Sequence, residues 1–156
     1  MKILGIILFA AAAAFFYKDY ADSLKDRLDE YEALAALFSH IGASVAEGRR
    51  TRAEAIRSFD FSPYNIDSFK ESVLLQRREE IEKSLIKIDG EDSSAIADFF
   101  TLGASRTVAE ELEGIKKISL RIEGKLTSTR DEYPKRRRAA FIVFITAVVC
   151  VFFLLI

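Results

Sequence analysis

The chain has 156 residues, half of them hydrophobic, with 23 Lys and Arg against 24 Asp and Glu and a formal net charge of -1. Near-neutral charge excludes the basic footprint of a nucleic-acid binder, and a single Cys excludes a disulfide framework or a cysteine-based zinc cluster. With 2 Pro and 7 Gly, the composition also excludes a turn-rich β architecture and a disordered chain.

All but one of the charged side chains lie between Lys18 and Arg138, so a polar segment is held between two apolar ends. The first end, Ile3–Tyr17 (ILGIILFAAAAAFFY), reaches only about 22 Å as a helix, short for a hydrocarbon core of roughly 30 Å. Met1 and the aromatic edge Phe15–Tyr17 extend it. A signal peptide is the rival reading, with Lys2 as its basic start and Ala12–Ala14 as a cleavage site. No polar break separates Ala14 from the next helical pattern, and Phe15-Phe16-Tyr17 is a poor start for a mature chain, which favours a retained anchor.

The polar segment reads helical throughout. Leu24, Leu28, Tyr31, Ala35, Phe38, Ile41 and Val45 alternate steps of three and four, the stripe of a helix packed on one side. That helix is continuous with the first apolar end, and Gly48 is placed to stop it. Thr51-Arg-Ala-Glu54 is a capping box opening a short helix over Arg52–Phe59. Ser62-Pro63 marks the next break, followed by a single helix across Ile66–Ile88. Asp89–Asp92 is a turn, and Ser93 or Ser94 caps a short helix ending at Gly103. Thr107-Val-Ala-Glu110 is a second capping box, opening a long helix that Pro134 bends or breaks.

The second apolar end, Ala139–Ile156, holds no charge, Gly or Pro and spans roughly 27 Å as a helix. The basic cluster Lys135, Arg136, Arg137 and Arg138 precedes it as a collar. With Lys18 and Lys25 flanking the first segment, the positive-inside rule places the polar segment in the cytoplasm and both ends across the membrane. Small-xxx-small spacing at Ala10/Ala14 and Thr146/Cys150 would let the two spans pack closely. The expected architecture is all-α: an antiparallel bundle of about five helices in residues 18–134, an N-terminal membrane anchor in 1–17, and the collar plus a second transmembrane helix in 135–156.

The two long helices are each about 40 Å or more, so their far ends should meet away from the bilayer. Arg49, Arg50 and Arg52 from one loop and Arg106 from the other would then form a patch for an acidic partner surface. Solvated helix-end charge is the competing explanation. No phosphate-binding loop or dinucleotide fingerprint is present, and His40 is the sole histidine, in an apolar-rich stretch. Asp89–Asp92 lacks the glycine placement and terminal Glu of a calcium loop. The expectation is a chain without enzymatic activity, cofactor, metal or small-molecule substrate.

The layout, a start reading MKILGIILFAAAA, a long helix ending at Ala46-Glu47-Gly48, and Phe99-Phe100-Thr101-Leu102-Gly103 before a charged helix and a C-terminal span resemble the stage III sporulation protein AB family of endospore-forming bacteria. Family members typically carry Tyr-Gly and Thr-Pro-Leu around the first glycine, where this chain reads AEGRRTRAEA. They also show Phe-Gly-x-x-Leu-Gly followed by an acidic residue, where this chain reads FFTLGASR. The resemblance implies a fold like the cytoplasmic domains of type II secretion platform proteins. It further implies a membrane component of the channel between mother cell and forespore, facing the mother-cell cytoplasm and partnering a cytosolic ATPase and other channel components. The alternative is a membrane-tethered coiled-coil adaptor or sensor that self-associates through the stripe from Leu24 to Val45.

Overall fold

The structure, a computed structural model, describes residues 2–48, 51–62, 67–85, 87–101 and 107–155. Among them are six α-helices and no strand: α1 (Lys2–Ala46), α2 (Arg52–Ser58), α3 (Asp67–Leu74), α4 (Arg78–Ser84), α5 (Gly90–Thr101) and α6 (Val108–Leu155). The all-α class expected from the periodicity is the one observed. The chain divides into two compact units, a central one of Arg27–Ser128 and an end unit of Met1–Asp26 with Thr129–Ile156. Packing thus divides the chain inside its polar stretch, while polarity changes at Tyr17/Lys18 and Arg138/Ala139.

In the central unit α1 buries a wider face than one stripe. Tyr31, Leu34, Leu37, Phe38 and Ile41 are all fully buried, and Ala33 with them. Helices as short as α2 to α5 have little stability alone, so tertiary packing must hold them. α5 supplies most of it: Ile96, Ala97, Phe99 and Phe100 are buried. The Phe100 ring lies 5.6 Å from Phe38, 5.9 Å from Phe69 and 5.1 Å from Phe99, joining α1, α3 and α5. From α6, Ile115 and Ile122 are buried. A Cβ on Gly42 would sit 3.3 Å from Ile115 Cγ2, so the missing side chain lets α1 and α6 approach closely there.

Helix ends follow the capping chemistry at three places and depart from it at three. Gly48 adopts φ 62° and donates to the Val45 carbonyl (3.0 Å), stopping α1 in a left-handed turn. Both capping boxes form: Thr51 N–H donates to Glu54 Oε2 (2.8 Å), and Thr107 N–H to Glu110 Oε2 (2.8 Å). The single helix expected across Ile66–Ile88 is instead two. Gln76 takes φ 53°, its N–H donates to Val73 O (3.1 Å) and Arg77 N–H to Ser72 O (3.2 Å). These two bonds are a Schellman turn closed by a non-glycine residue. α5 begins at Gly90, ahead of the expected serine caps, because the Asp89 carbonyl accepts from Asp92 and Ser93 N–H; Ser93 instead bonds back to Gly90 O. Pro134 does not end α6, which runs on to Leu155; one missing ladder bond is outweighed by the intact turns on either side. The expected break at Pro63 lies outside the described residues, and next to it Asp60 Oδ1 accepts from Ser62 N–H (3.0 Å).

In the end unit, half-buried residues follow helical spacing on both helices: Ala10, Ala13, Tyr17 and Ala21 on α1, and Ala140, Phe144, Ala147 and Val151 on α6. Tyr17 stacks on Phe144 at 5.6 Å and meets Phe141 edge-on at 5.7 Å. Ala14, Thr146 and Cys150 are exposed, so the small-residue spacing proposed for close packing runs through different positions. Among the described residues one helix is long and apolar enough to cross a membrane, α1 over Leu4–Ala46, with mean hydropathy 1.4 in its most apolar window and none of that window buried. Exposed apolar side chains also run along α6 from Phe141 to Phe153. The expected second span continues into Leu154–Ile156, whose side chains lie outside the described residues.

Gln76→Gly should relieve the left-handed strain and raise the stability of the full chain by about 1 kcal/mol, a Tm gain of about 3 °C. Gly48→Ala should lower it by a similar amount. Thermal unfolding followed by circular dichroism reads both, and a loss of stability in Gln76→Gly would contradict the Schellman assignment.

Candidate functional site

The capping box at Thr51 starts α2 immediately after α1 stops, and the one at Thr107 starts α6. Between these starts and α3 lies a groove of about 610 Å³ in the central unit. Val45, Ile56, Val73 and Phe100 form its apolar floor, with Leu74 and Val108 at its mouth, 36% and 61% exposed. Arg57, Glu54 and Gln76 supply polar edges. Apolar floors open to solvent and edged by charge suit a side chain or helix face of another protein better than a polar metabolite.

Arg52 lines this groove but is not a free cation. Its Nη1 donates to the Phe99 carbonyl (3.0 Å), its Nε lies 3.5 Å from Glu111 Oε1, and the guanidinium sits 5.1 Å over the Phe99 ring. With its side chain only 12% exposed, Arg52 clamps α2 to α5 and α6. Arg49, Arg50 and Arg106, the rest of the expected arginine patch, lie outside the described residues, as do Leu102 and Gly103 of the family motif. Gly48 lines the groove in its left-handed turn. Arg57, exposed at the edge, was not singled out by the sequence pattern, because nothing local separates it from other solvated helix charges.

The collar residues Lys135, Arg136, Arg137 and Arg138 lie exposed on α6 in the end unit. Arg136 Nη2 pairs with Glu132 Oε2 at 2.6 Å. Hydrogen bonding to Tyr17, with the nearby Tyr133, raises the Arg137 pKa further above its ordinary value.

A polar cluster missed by the sequence reading lies at the edge of the central unit's core, with Tyr31 and Asp92 buried and their cationic partners reaching in from the surface. Asp92, 2% exposed, accepts from the Tyr31 hydroxyl (2.8 Å) and from Arg121 Nε. Asp89 accepts from Arg27 Nη2 (2.6 Å) and Lys125 Nζ (2.8 Å), and Lys125 Nζ is 3.9 Å from Asp92 Oδ2. The cluster fastens the start of α5 to α1 and α6. Burial, then the hydrogen bond to Asp92, pushes the Tyr31 phenol up; the Lys125 hydrogen bond holds Asp89 below the ordinary carboxylate range and raises Lys125 in turn. The turn that superficially suggested a calcium loop is therefore the anionic half of an ion network.

His40 Nε2 lies 3.2 Å from Ser58 Oγ, beside Phe59. The Ser58 hydroxyl donates to Ala55 O (3.0 Å), leaving its oxygen to accept from His40. Among the described residues no group of three or more His, Cys, Asp or Glu side chains is placed to hold a metal ion. No family model, curated protein or solved structure matches the chain.

Asp92→Asn should destabilise the full chain by about 2 kcal/mol, because it uncouples Arg121 and disturbs the buried Tyr31–Asp92 pair; a loss below about 0.5 kcal/mol, the level of an ordinary surface change, would contradict the structural role. Asp89, depressed when folded, contributes stability present above the ordinary Asp pKa of about 3.9 and lost as pH falls through its lower folded value. Lys125, raised when folded, contributes stability complete below about pH 10.4 and lost as pH rises through its higher folded value. Thermal unfolding should therefore be flat across about pH 5–9, and Asp89→Asn should make the acid limb shallower.

Proposed function

We propose that the chain is a non-enzymatic, membrane-anchored docking component of a sporulation-specific, secretion-like channel between mother cell and forespore. Its central helical unit faces the mother-cell cytoplasm and receives a cytosolic ATPase of the same system, while the two apolar ends join other membrane components of the channel. The observation that carries this reading is the solvent-open apolar groove of the central unit, lined by Gly48, a match to the family's motif, and by Thr51 and Arg52 beside it. The exposed apolar side chains on both halves of the end unit support two spans, and the positions of Lys18, Lys25 and Lys135–Arg138 support a cytoplasmic central segment.

The alternative, a coiled-coil adaptor acting by self-association, has less to draw on. Tyr31, Phe38, Ile41 and Val45 of the stripe it needs are already buried within the central unit of a single chain.

Leu74→Glu with Val108→Glu places two charges at the groove mouth, at positions exposed enough to leave the fold intact. Co-purification of the full-length chain with the ATPase should fall at least about tenfold. Replacing Arg49, Arg50 and Arg106 together by Glu tests the electrostatic share of the same contact. Unchanged co-purification of the groove variant, with an unchanged circular dichroism spectrum, would overturn the groove as the docking surface.

A further inference from the structure

The end unit contains a second opening, a cleft of about 640 Å³ between its α1 and α6 segments. Ala12, Ala13, Ala140 and Ala147 line it beside the rings of Phe16 and Phe144, and the alanines leave space between the helices. The lining runs from Phe9 to Tyr20 on α1 and from Ala147 back to Arg136 on α6. Each stretch rises about 16 Å along its helix, roughly half of a hydrocarbon core about 30 Å thick. The cleft is also polar at one end only. Tyr17, Tyr20 and Arg136 lie at that end, and everything from Phe16 toward Phe9 and from Ala139 toward Ala147 is apolar.

We propose that this cleft holds one acyl chain of an anionic phospholipid, with the lipid phosphate against the collar Lys135–Arg138 at its mouth. This rests on the reading of the end unit as membrane-embedded. A cleft one leaflet deep, apolar along its length and cationic at its mouth, has the amphipathic layout of a single lipid. A partner helix would call for an apolar trough across both leaflets instead. Charge selects the headgroup. Lys135–Arg138 place four positive charges within about one turn, more than the one carboxylate, Glu132, that pairs with Arg136 balances. Positively charged side chains beside a membrane attract anionic headgroups, and the effect is additive over the cluster.

The test uses the full-length chain reconstituted in nanodiscs of phosphatidylcholine with phosphatidylglycerol as the minor component, then released into detergent for native mass spectrometry. The expected result is one retained phosphatidylglycerol per chain. Arg136→Gln should lower that retention about fivefold. Ala13→Leu with Ala140→Leu, which fill the cleft and leave every charge in place, should abolish it. Because the double variant narrows the helix pair, Ala147→Leu alone serves as a milder second filling and should also reduce retention. Retention that survives cleft filling but follows the collar charge would overturn the acyl-chain site, as would a second copy of the chain in place of the lipid. Release of the chain from membranes by alkaline carbonate, measured separately, would instead overturn the membrane reading on which the proposal stands.

Discussion

A carboxyl group that is 2% exposed has lost its water and needs partners to replace it, and Asp92 has them on two other helices. Tyr31 of α1 and Arg121 of α6 close on it, while Asp89, just ahead of α5, draws in Arg27 and Lys125 from the same two helices. These contacts tie the start of α5 to both long helices at once. The aromatic core depends on that seating. Phe99 and Phe100 lie at the other end of α5, with Phe100 packed on Phe38 and Phe69 and the Phe99 carbonyl holding Arg52. Through Arg52 the position of α2 follows, and with it one wall of the groove. The site is thus positioned from the opposite end of a twelve-residue helix.

The end unit obeys a different constraint. Its helices expose Phe15, Phe16, Ile142, Val143 and Phe153, side chains that a water-soluble surface would not gather on one helix pair. Contact between the two helices includes the Tyr17 ring packed on Phe144 and Phe141. A helix with one apolar end and one polar end serves both units at once, which explains why α1 and α6 run through the division without a break.

Local signals were legible in the sequence and long-range ones were not. Thr51 with Glu54 and Thr107 with Glu110 announce helix starts because both partners of each box lie three residues apart. Gly48 announces a stop because glycine tolerates the left-handed turn. Gln76 makes the same kind of turn, and residue type gives no warning of it. Tyr31 and Asp92 stand 61 residues apart, Arg27 and Asp89 62, so no periodicity could pair them. For the same reason Arg52 reads from sequence as one member of a surface arginine cluster, whereas the fold uses it as an internal clamp. The groove itself draws its lining from α1, α2, α3, α5 and α6, and no single segment carries its signature.

The central claim is that the groove of the central unit is the surface another protein occupies in the cell. A photo-reactive amino acid placed at Leu74, at the groove mouth, and separately at Leu120, exposed on α6 and outside the groove lining, tests it in sporulating cells. The predicted result is a cross-link to the cytosolic ATPase from Leu74 and none from Leu120. A cross-link from Leu74 only to a second copy of the chain, or the same product from both positions, would contradict it.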